Sequence, residues 1–278
     1  MNTRRLAPLL AAILAAPALF VAMSTAMAAE DANRCRIETM SIPVRLVDRR
    51  PIATLQLNGV PVPMLVDSGA FYSFLSASAA QQLGLPLRKP PSNLTVQGVT
   101  GPVEGLRVTT VKSVRLEEAE LEYIEFLVGG SEKGAGIMGV LGRNFLSIAD
   151  TEYDLAHGVV RLVFPKGDCD KASLAYWAGD APVIEATMLS YSRSDRTVRV
   201  EVQVNGRKLE AVMDTGATNT VLTLSAARKA GIVEKEMTPA GRTSGAGADL
   251  AQACFDFLPA RALLDLAGWP ETDIFAHS

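Results

Sequence analysis

Two aspartates in matching surroundings are the residues of this sequence best suited to chemistry. Asp67 ends the apolar run 64–66 and precedes Ser-Gly-Ala, and Asp214 ends the run 211–213 and precedes Thr-Gly-Ala. Two carboxyl groups about 3 Å apart share one proton, because both cannot ionise cheaply at that distance. The ionised member can activate a water molecule, while the protonated member donates a hydrogen bond. If the fold brings them together, the two aspartates are candidates for general acid–base hydrolysis.

Each triplet by itself is also typical of an ordinary surface turn. The alternative interpretation is that Asp67 and Asp214 only cap turns in a duplicated β scaffold. Both triplets end an apolar strand and lie inside a longer repeat, which favours the catalytic interpretation.

The repeat has a fixed spacing of 147 residues. Self-similarity at one spacing indicates an internal duplication. Asn-Gly after an alternating run predicts a hairpin in each copy, and glycine after a short helical run predicts a helix end. The matching features are the turns Asn58-Gly59 and Asn205-Gly206, the strands 60–66 and 207–213, the helices 77–83 and 224–230, and the glycines Gly84 and Gly231.

Further strands are predicted in the first copy of the repeat, one before its Asn58-Gly59 hairpin and the others after Asp67. Apolar alternation indicates strands at 42–46, 106–116, 121–128, 153–155 and 159–164, and residues 140–142 are expected to form a core strand behind the Asp67 loop.

Together these motifs resemble the retropepsin-like aspartic peptidases. The resemblance rests on the two aspartate motifs, a glycine-rich hairpin about 30 residues after Asp67, and Val-Leu-Gly-Arg-Asn-Phe-Leu at 140–146. It covers residues 52–164 fully and 198–249 in part. It implies a mainly β fold of two tandem closed β-barrel lobes with short helices, whose aspartates face each other. Aspartic proteases are the standard example of proton sharing between carboxyl groups.

The resemblance also implies roles for the neighbours of the aspartates. Ser68 and Thr215 would brace the two turns across the lobe interface, and Gly69 and Gly216 would let backbone N–H groups approach the carboxylates. A flap would close over the substrate. Its residues would be Gly98, Val99, Thr100 and Gly101 in the first lobe and Gly245, Ala246 and Gly247 in the second. Ordinary turn glycines are the alternative for these positions.

Two groups near the motif keep two interpretations each. Arg143 caps the short helix that follows residue 142 or pairs across the lobes. Phe71 and Tyr72 line a substrate subsite or pack in the core, and the core is the commoner place for such side chains.

The second lobe is expected to be incomplete at its C-terminus. Gly142 lies 75 residues after Asp67, and the same spacing from Asp214 falls beyond Ser278. Residues 250–258 lack strand alternation, and residues 261–267 resemble a short helix. Truncation is the first explanation, and a divergent lobe completed by another chain or by unusual packing is the second. Either predicts weaker support for the Asp214 loop.

The N-terminus has the pattern of a cleavable signal peptide over residues 1–28. Arg4 and Arg5 precede an apolar run, and small residues end at a predicted cut after Ala28. A membrane anchor is the alternative. Export to a bacterial periplasm, without stable membrane insertion after cleavage, is the expectation. The predicted organisation continues with a first lobe at 35–165, a linker at 166–182 and a second lobe at 183–278.

Composition limits the kinds of partner, metal site and cofactor that the sequence leads us to expect. The net charge of −3 gives no reason to expect a nucleic-acid partner. Two histidines leave little for a zinc site or a histidine-dependent nucleophile, so no metal or cofactor is expected. Cys35 and Cys169 could pair in an oxidising compartment, although free thiols are the alternative.

The sequence therefore predicts an exported aspartic endopeptidase that acts on polypeptides. The first alternative is a catalytically weak protein that binds extended peptides on the same fold. The second is an enzyme active only as a homodimer of first lobes.

Overall fold

Strands dominate the part of the chain that the computed structural model describes. That part comprises residues 34–98, 101–130, 134, 136–186, 188–189, 197–233, 235, 237–243, 252–257 and 273–276. The predicted signal peptide at 1–28 and the predicted helix at 261–267 lie outside it. Within it, no helix is long and apolar enough to cross a membrane.

The chain divides into two units, and the described residues of the smaller are 34–38 and 164–179. A disulfide joins Cys35 to Cys169, and Arg34 pairs with Asp168 in a single parallel bridge. A short 3₁₀ helix follows at Tyr176–Ala178. The disulfide closes a loop across a sequence separation of 134 residues. Such a cross-link typically contributes about 2–4 kcal/mol to stability.

The larger unit, residues 39–163 and 180–278, contains both aspartates. The strands and helices up to the linker are β1 (Arg36–Val47), β2 (Arg50–Leu57), β3 (Val60–Val66), β4 (Phe74–Leu75), α1 (Ala77–Gln82), β5 (Gln97–Gly98), β6 (Gly101–Pro102), β7 (Arg107–Leu116), β8 (Ala119–Val128), β9 (Gly139–Leu141), α2 (Arg143–Leu146), β10 (Asp150–Asp154), a 3₁₀ turn (Leu155–His157) and β11 (Val159–Lys166). The strands predicted at 42–46, 106–116, 121–128 and 159–164 are confirmed. The strand predicted at 153–155 instead ends at Asp154, because Leu155 begins the 3₁₀ turn.

Six strands of the first lobe close into a β-barrel. They neighbour one another in the order β2-β3-β9-β4-β8-β7, and β7 pairs again with β2. Alternate side chains of β2 and β3 point inward and are buried there, among them Leu55, Leu57, Val62 and Met64. Closure leaves these strands without open edges. The predicted mainly β fold with a closed barrel is confirmed.

The two Asn-Gly hairpins are confirmed, and they have the same geometry. Leu57 pairs with Val60 in the first, and Val204 pairs with Arg207 in the second. Both central residues of each turn have positive φ, at 50° and 79° in the first turn and 51° and 70° in the second. This is the type I′ turn that Asn-Gly favours.

The elements described after residue 180 are β12 (Met188–Leu189), β13 (Arg199–Val204), β14 (Arg207–Val212), α3 (Leu224–Lys229), β15 (Met237–Thr243), β16 (Gln252–Phe257) and β17 (Asp273–Ala276). Helix α3 repeats α1, since Ser76 and Thr223 cap the two N-termini with their side chains. Gly84 and Gly231 follow the two helices with left-handed φ. A small core of Val204, Leu209 and Ala230 lies beneath α3.

The expectation that residues 250–258 lack a strand is wrong. Residues 252–257 form β16, which pairs antiparallel with β15, and residues 273–276 form β17, which pairs with β10 of the first lobe. Alternation missed both, because a backbone partner can stabilise a strand whose own sequence has no clear pattern. Among the described strands, β14 pairs with β13 alone, so an incomplete second lobe stays a prediction.

Candidate active site

The two aspartates that the sequence singles out lie side by side. The glycine two residues after each aspartate has no side chain, and this leaves room for the carboxyl group of the other aspartate. A Cβ added to Gly69 would lie 2.5 Å from Cγ of Asp214, and one added to Gly216 would lie 2.5 Å from Cγ of Asp67. The carboxyl groups are also within hydrogen-bonding reach of each other. The fold thus brings together carboxyl groups that are far apart in sequence.

Backbone N–H groups of the turns hold each carboxylate in place. Oδ1 of Asp67 accepts hydrogen bonds from Gly69 N–H at 2.8 Å and Ala70 N–H at 3.0 Å. Oδ1 of Asp214 accepts one from Gly216 N–H at 2.8 Å. Asp67 is partly buried, whereas Asp214 is exposed. The two carboxylates are therefore oriented alike but differ in their access to water.

Ser68 and Thr215 exchange hydrogen bonds between the two turns. The Ser68 hydroxyl donates to Met213 O at 2.8 Å and accepts from Thr215 N–H at 3.0 Å. The Thr215 hydroxyl donates to Val66 O at 2.8 Å and accepts from Ser68 N–H at 3.0 Å. The four bonds form two equivalent pairs, one from each turn. They fix the separation of the residues that follow β3 and β14.

Strand β9 and helix α2 support the Asp67 loop from behind. β9 runs parallel to β3, with Leu65 opposite Val140, and Asp67 N–H extends this ladder by donating to Leu141 O at 3.0 Å. The N–H groups of Arg143 and Asn144 donate to the carbonyls of Ala70 and Phe71 at 2.9 and 2.8 Å. The predicted core strand behind Asp67 is thus confirmed.

Gly142 is required at the junction of β9 and α2. A Cβ there would lie 2.6 Å from Tyr72 O, so a side chain would push the Asp67 loop away. Gly142 N–H donates to the Ser73 hydroxyl at 3.0 Å, and that hydroxyl donates to Asn144 Oδ1 at 2.8 Å. The Val-Leu-Gly-Arg-Asn motif therefore supports the Asp67 loop through close backbone contacts.

Arg143, Phe71 and Tyr72 pack together on the first-lobe side. The Arg143 guanidinium lies 5.7 Å from the centre of the Phe71 ring, a cation–π distance. Tyr72 meets Phe71 edge-on, with ring centres 4.5 Å apart, and packs against the buried cluster of Leu106, Val108 and Leu127. These contacts favour packing as the role of Tyr72.

Burial and the neighbouring charge shift the acidity of the pair. Burial, followed by the charge of Asp214, raises the pKa of Asp67 to about 6 from the ordinary 3.8. The backbone N–H donors oppose this increase without cancelling it. Asp67 therefore retains a proton in weakly acidic solution, as proton sharing requires.

Tyr153 is a site residue that the sequence did not reveal. It lies buried on β10, and its hydroxyl hydrogen-bonds Ser68. Burial and the Asp67 charge raise its pKa, so the phenol stays protonated. An aromatic residue in a predicted strand is usually a core residue, and no sequence signal separated Tyr153 from that group.

The flap positions are described only in part. Gln97 pairs with Pro102 and Gly98 with Gly101 in the β5–β6 hairpin, and Val103 N–H donates to Val96 O at 2.9 Å. Val99 and Thr100 lie outside the described residues, as do Gly245, Ala246 and Gly247. The described residues contain no group of three or more His, Cys, Asp or Glu side chains suited to a metal ion.

Asp67→Asn should make the protein more stable at neutral pH. A pKa raised from 3.8 to about 6 means that stability is fully present below pH 3.8 and is lost as the pH rises through 6. Asparagine cannot ionise, so the variant avoids this loss. The free energy of unfolding of the variant minus that of the native protein should therefore be about 1–3 kcal/mol larger at pH 8 than at pH 3.5. Denaturant titrations of both proteins at the two pH values measure this difference. An equal response to pH in both proteins would contradict it.

Comparison with known proteins supports the resemblance seen in the sequence. A family model described as "Aspartyl protease" matches residues 53–145 and 200–257, together more than half of the chain. No curated protein matches the chain. Among solved structures, a retropepsin-like aspartic protease from Rickettsia conorii is 21% identical, with a TM-score of 0.35, over 48% of this chain and 96% of that one. The EIAV protease complexed with the inhibitor HBY-793 is 24% identical, with a TM-score of 0.29, over 36% of this chain and 86% of that one. One matched stretch contains Asp67 and the other Asp214, and the chain belongs to the aspartyl protease family.

Proposed function

We propose that this protein is an aspartic-type endopeptidase whose two catalytic carboxyl groups, Asp67 and Asp214, come from one chain. The observation that carries the proposal is the facing arrangement of the carboxyl groups, each seated against the glycine of the opposite turn. The exchange of hydrogen bonds by Ser68 and Thr215 within one chain favours this pairing over a homodimer of first lobes.

The proposed mechanism uses the pair with one shared proton. The ionised carboxylate removes a proton from a water molecule, which attacks the peptide carbonyl carbon, while the protonated carboxyl hydrogen-bonds the carbonyl oxygen. The tetrahedral intermediate is not attached to the enzyme. Its collapse breaks the C–N bond, the amine nitrogen takes up a proton from the pair, and the product carboxyl group is released. Because the pair titrates as a unit, neither role is assigned permanently to one aspartate.

The neighbouring residues would act by positioning. Ser68 and Thr215 would hold the turns together, Gly69 and Gly216 would leave room for the carboxyl groups, and Tyr153 would hold the Ser68 hydroxyl. The β5–β6 hairpin would close over the substrate and exclude water as a flap, with residues 245–247 as its counterpart.

Export to the periplasm is part of the same proposal. The apolar N-terminal pattern of residues 1–28 motivates it, and the Cys35–Cys169 disulfide supports it, because disulfides persist mainly in oxidising compartments.

Peptide hydrolysis by the mature protein should be fastest in weak acid and should decline above pH 6. The pKa of Asp67 near 6 sets this limit, because the pair loses its shared proton above it. A peptide library digested between pH 3 and 8 and read by mass spectrometry gives the profile. Digestion in ¹⁸O-water should place one ¹⁸O in each new carboxyl group.

Two other results would redirect the proposal. Activity that rises steadily toward pH 8 would contradict the shared proton. Binding of peptides without cleavage at any pH would favour the peptide-binding alternative.

A further inference from the structure

A hydrogen bond links the β1–β2 turn to the loop that carries Asp214. Nη2 of Arg49 donates to Asn219 Oδ1 at 2.7 Å, between residues 170 positions apart. Both side chains are exposed. Asn219 follows Asp214 by five residues in the same loop. The bond therefore ties the guanidinium of Arg49 to the loop that carries Asp214.

The backbone at Arg49 suggests that its side chain has a role. Asp48 and Arg49 have φ of 50° and 64°, and Val47 pairs with Arg50 across them. The turns at 58–59 and 205–206 have the same positive φ values and use Asn-Gly. Arginine rarely adopts this conformation, and strained residues cluster at functional sites. A turn alone would be better served by glycine.

The charge of Arg49 is not neutralised by a carboxylate among the described residues. Its neighbour Asp48 pairs instead with Arg50, at 3.6 Å. The guanidinium has five N–H donors in a planar fork, a geometry that matches a carboxylate. Asn219 occupies one donor and limits the rotation of the group. The remaining donors are available to a ligand that brings a negative charge.

Within the described part of the chain, this arrangement lies on the Asp214 side of the pair. The position equivalent to Asn219 in the first lobe is Tyr72, which packs against apolar residues. Five residues of extended chain span at most roughly 17 Å, so Arg49 and Asn219 lie within reach of a bound peptide a few residues from the scissile bond. Tyr72 and Asn219, at equivalent positions of the two loops, thus offer different chemistry.

We propose that Arg49 and Asn219 form a carboxylate-binding subsite on the Asp214 side. It would select peptides with an acidic side chain, or with their own terminal carboxylate, a few residues from the bond that is cleaved. The inference rests on the proposed function, because the subsite is defined relative to a cleaved peptide bond. Binding of the peptides can nevertheless be measured without hydrolysis.

The test uses synthetic octapeptides with Leu-Phe at the centre. One set carries Glu at each outer position in turn, a second carries Gln there, and a third has free or amidated C-termini. Dissociation constants are measured with Asp67→Asn, which cannot cleave the peptides under the proposed mechanism, and kcat/KM is measured with the native protein. We expect Glu at one position, or a free C-terminus, to bind about five- to twentyfold more tightly than its neutral counterpart. The two sources of the carboxylate are thereby separated.

Variants at the turn separate binding from structure. In the Asp67→Asn background, Arg49→Gln and Arg49→Gly should both abolish the preference, although glycine suits the turn and should not lower the melting temperature. Arg45→Gln removes the same charge from an exposed position on β1 and should leave the preference intact. Arg49→Lys should retain part of it.

The following outcomes overturn the subsite. They are equal binding of acidic and neutral peptides, a preference that survives Arg49→Gln, a uniform weakening of all peptides by that variant, and no binding of any peptide. A preference in binding without any hydrolysis by the native protein would instead overturn the proposed function and leave the subsite standing.

Discussion

Replacing either aspartate by asparagine should reduce kcat/KM for peptide hydrolysis by about 10³-fold or more, within or above the usual contribution of an acid–base group. Asparagine has the shape of the carboxyl group but can neither carry the shared proton nor ionise. Asp67→Asn and Asp214→Asn should therefore fail alike, because the proposed reaction needs both members of the pair. Rates on a cleaved library peptide near pH 5 measure the loss.

Two controls give this result its meaning. Glu118→Gln removes an exposed carboxylate from the β7–β8 turn and should leave the rate unchanged. Mixing the two inactive variants should not restore activity if each pair forms within one chain. Loss with Asp67→Asn alone, while Asp214→Asn stays active, would instead show that first lobes pair between chains.

Gly69→Ala should lower kcat/KM by about 10²-fold without unfolding the protein. The new Cβ would lie 2.5 Å from Cγ of Asp214 and 2.6 Å from its Oδ1, so the opposite carboxyl group must move. A displacement near 1 Å in an active site commonly costs this much. Kinetics near pH 5, together with a melting curve, separate displacement from unfolding.

Gly59→Ala is the matched control for that variant. Gly59 has left-handed φ but no atom within 4 Å of an added Cβ. Alanine there should cost about 1 kcal/mol of stability and leave kcat/KM unchanged. If Gly69→Ala proves as active as Gly59→Ala, the close approach of the two turns is not needed for catalysis.

Local features of both copies of the repeat were predictable from the sequence. The Asn58-Gly59 turn has a strong residue signature, because few residues tolerate positive φ at both central positions. Helix ends at Gly84 and Gly231 follow the same logic. The β9 strand was predictable because an apolar pair before glycine suits a buried strand that touches another backbone closely.

Long-range contacts were not predictable. Neither the hydrogen bond between Tyr153 and Ser68 nor that between Arg49 and Asn219 leaves a pattern in the local sequence, because each joins elements distant in the chain. Strands β16 and β17 were missed for the same reason. Their partners, β15 and β10, provide a backbone ladder that alternation within residues 252–257 or 273–276 does not encode.

The second aspartate loop depends on the first lobe for much of its described support. Asp67 rests on β9 and α2, whereas the described contacts of the Asp214 turn include Ser68 and the end of the β13–β14 ladder, where Met213 N–H donates to Val198 O at 2.9 Å. Weaker support for the Asp214 loop stays a prediction.

The reciprocal bonds of Ser68 and Thr215 also restrict how the cleft can move. A hinge motion that separated the two turns would have to break four hydrogen bonds at once. Each has a donor–acceptor distance of 3.0 Å or less. The two turns are thus held at a fixed separation. Under the proposed function, substrates of different bulk would therefore meet the same spacing of the two carboxyl groups.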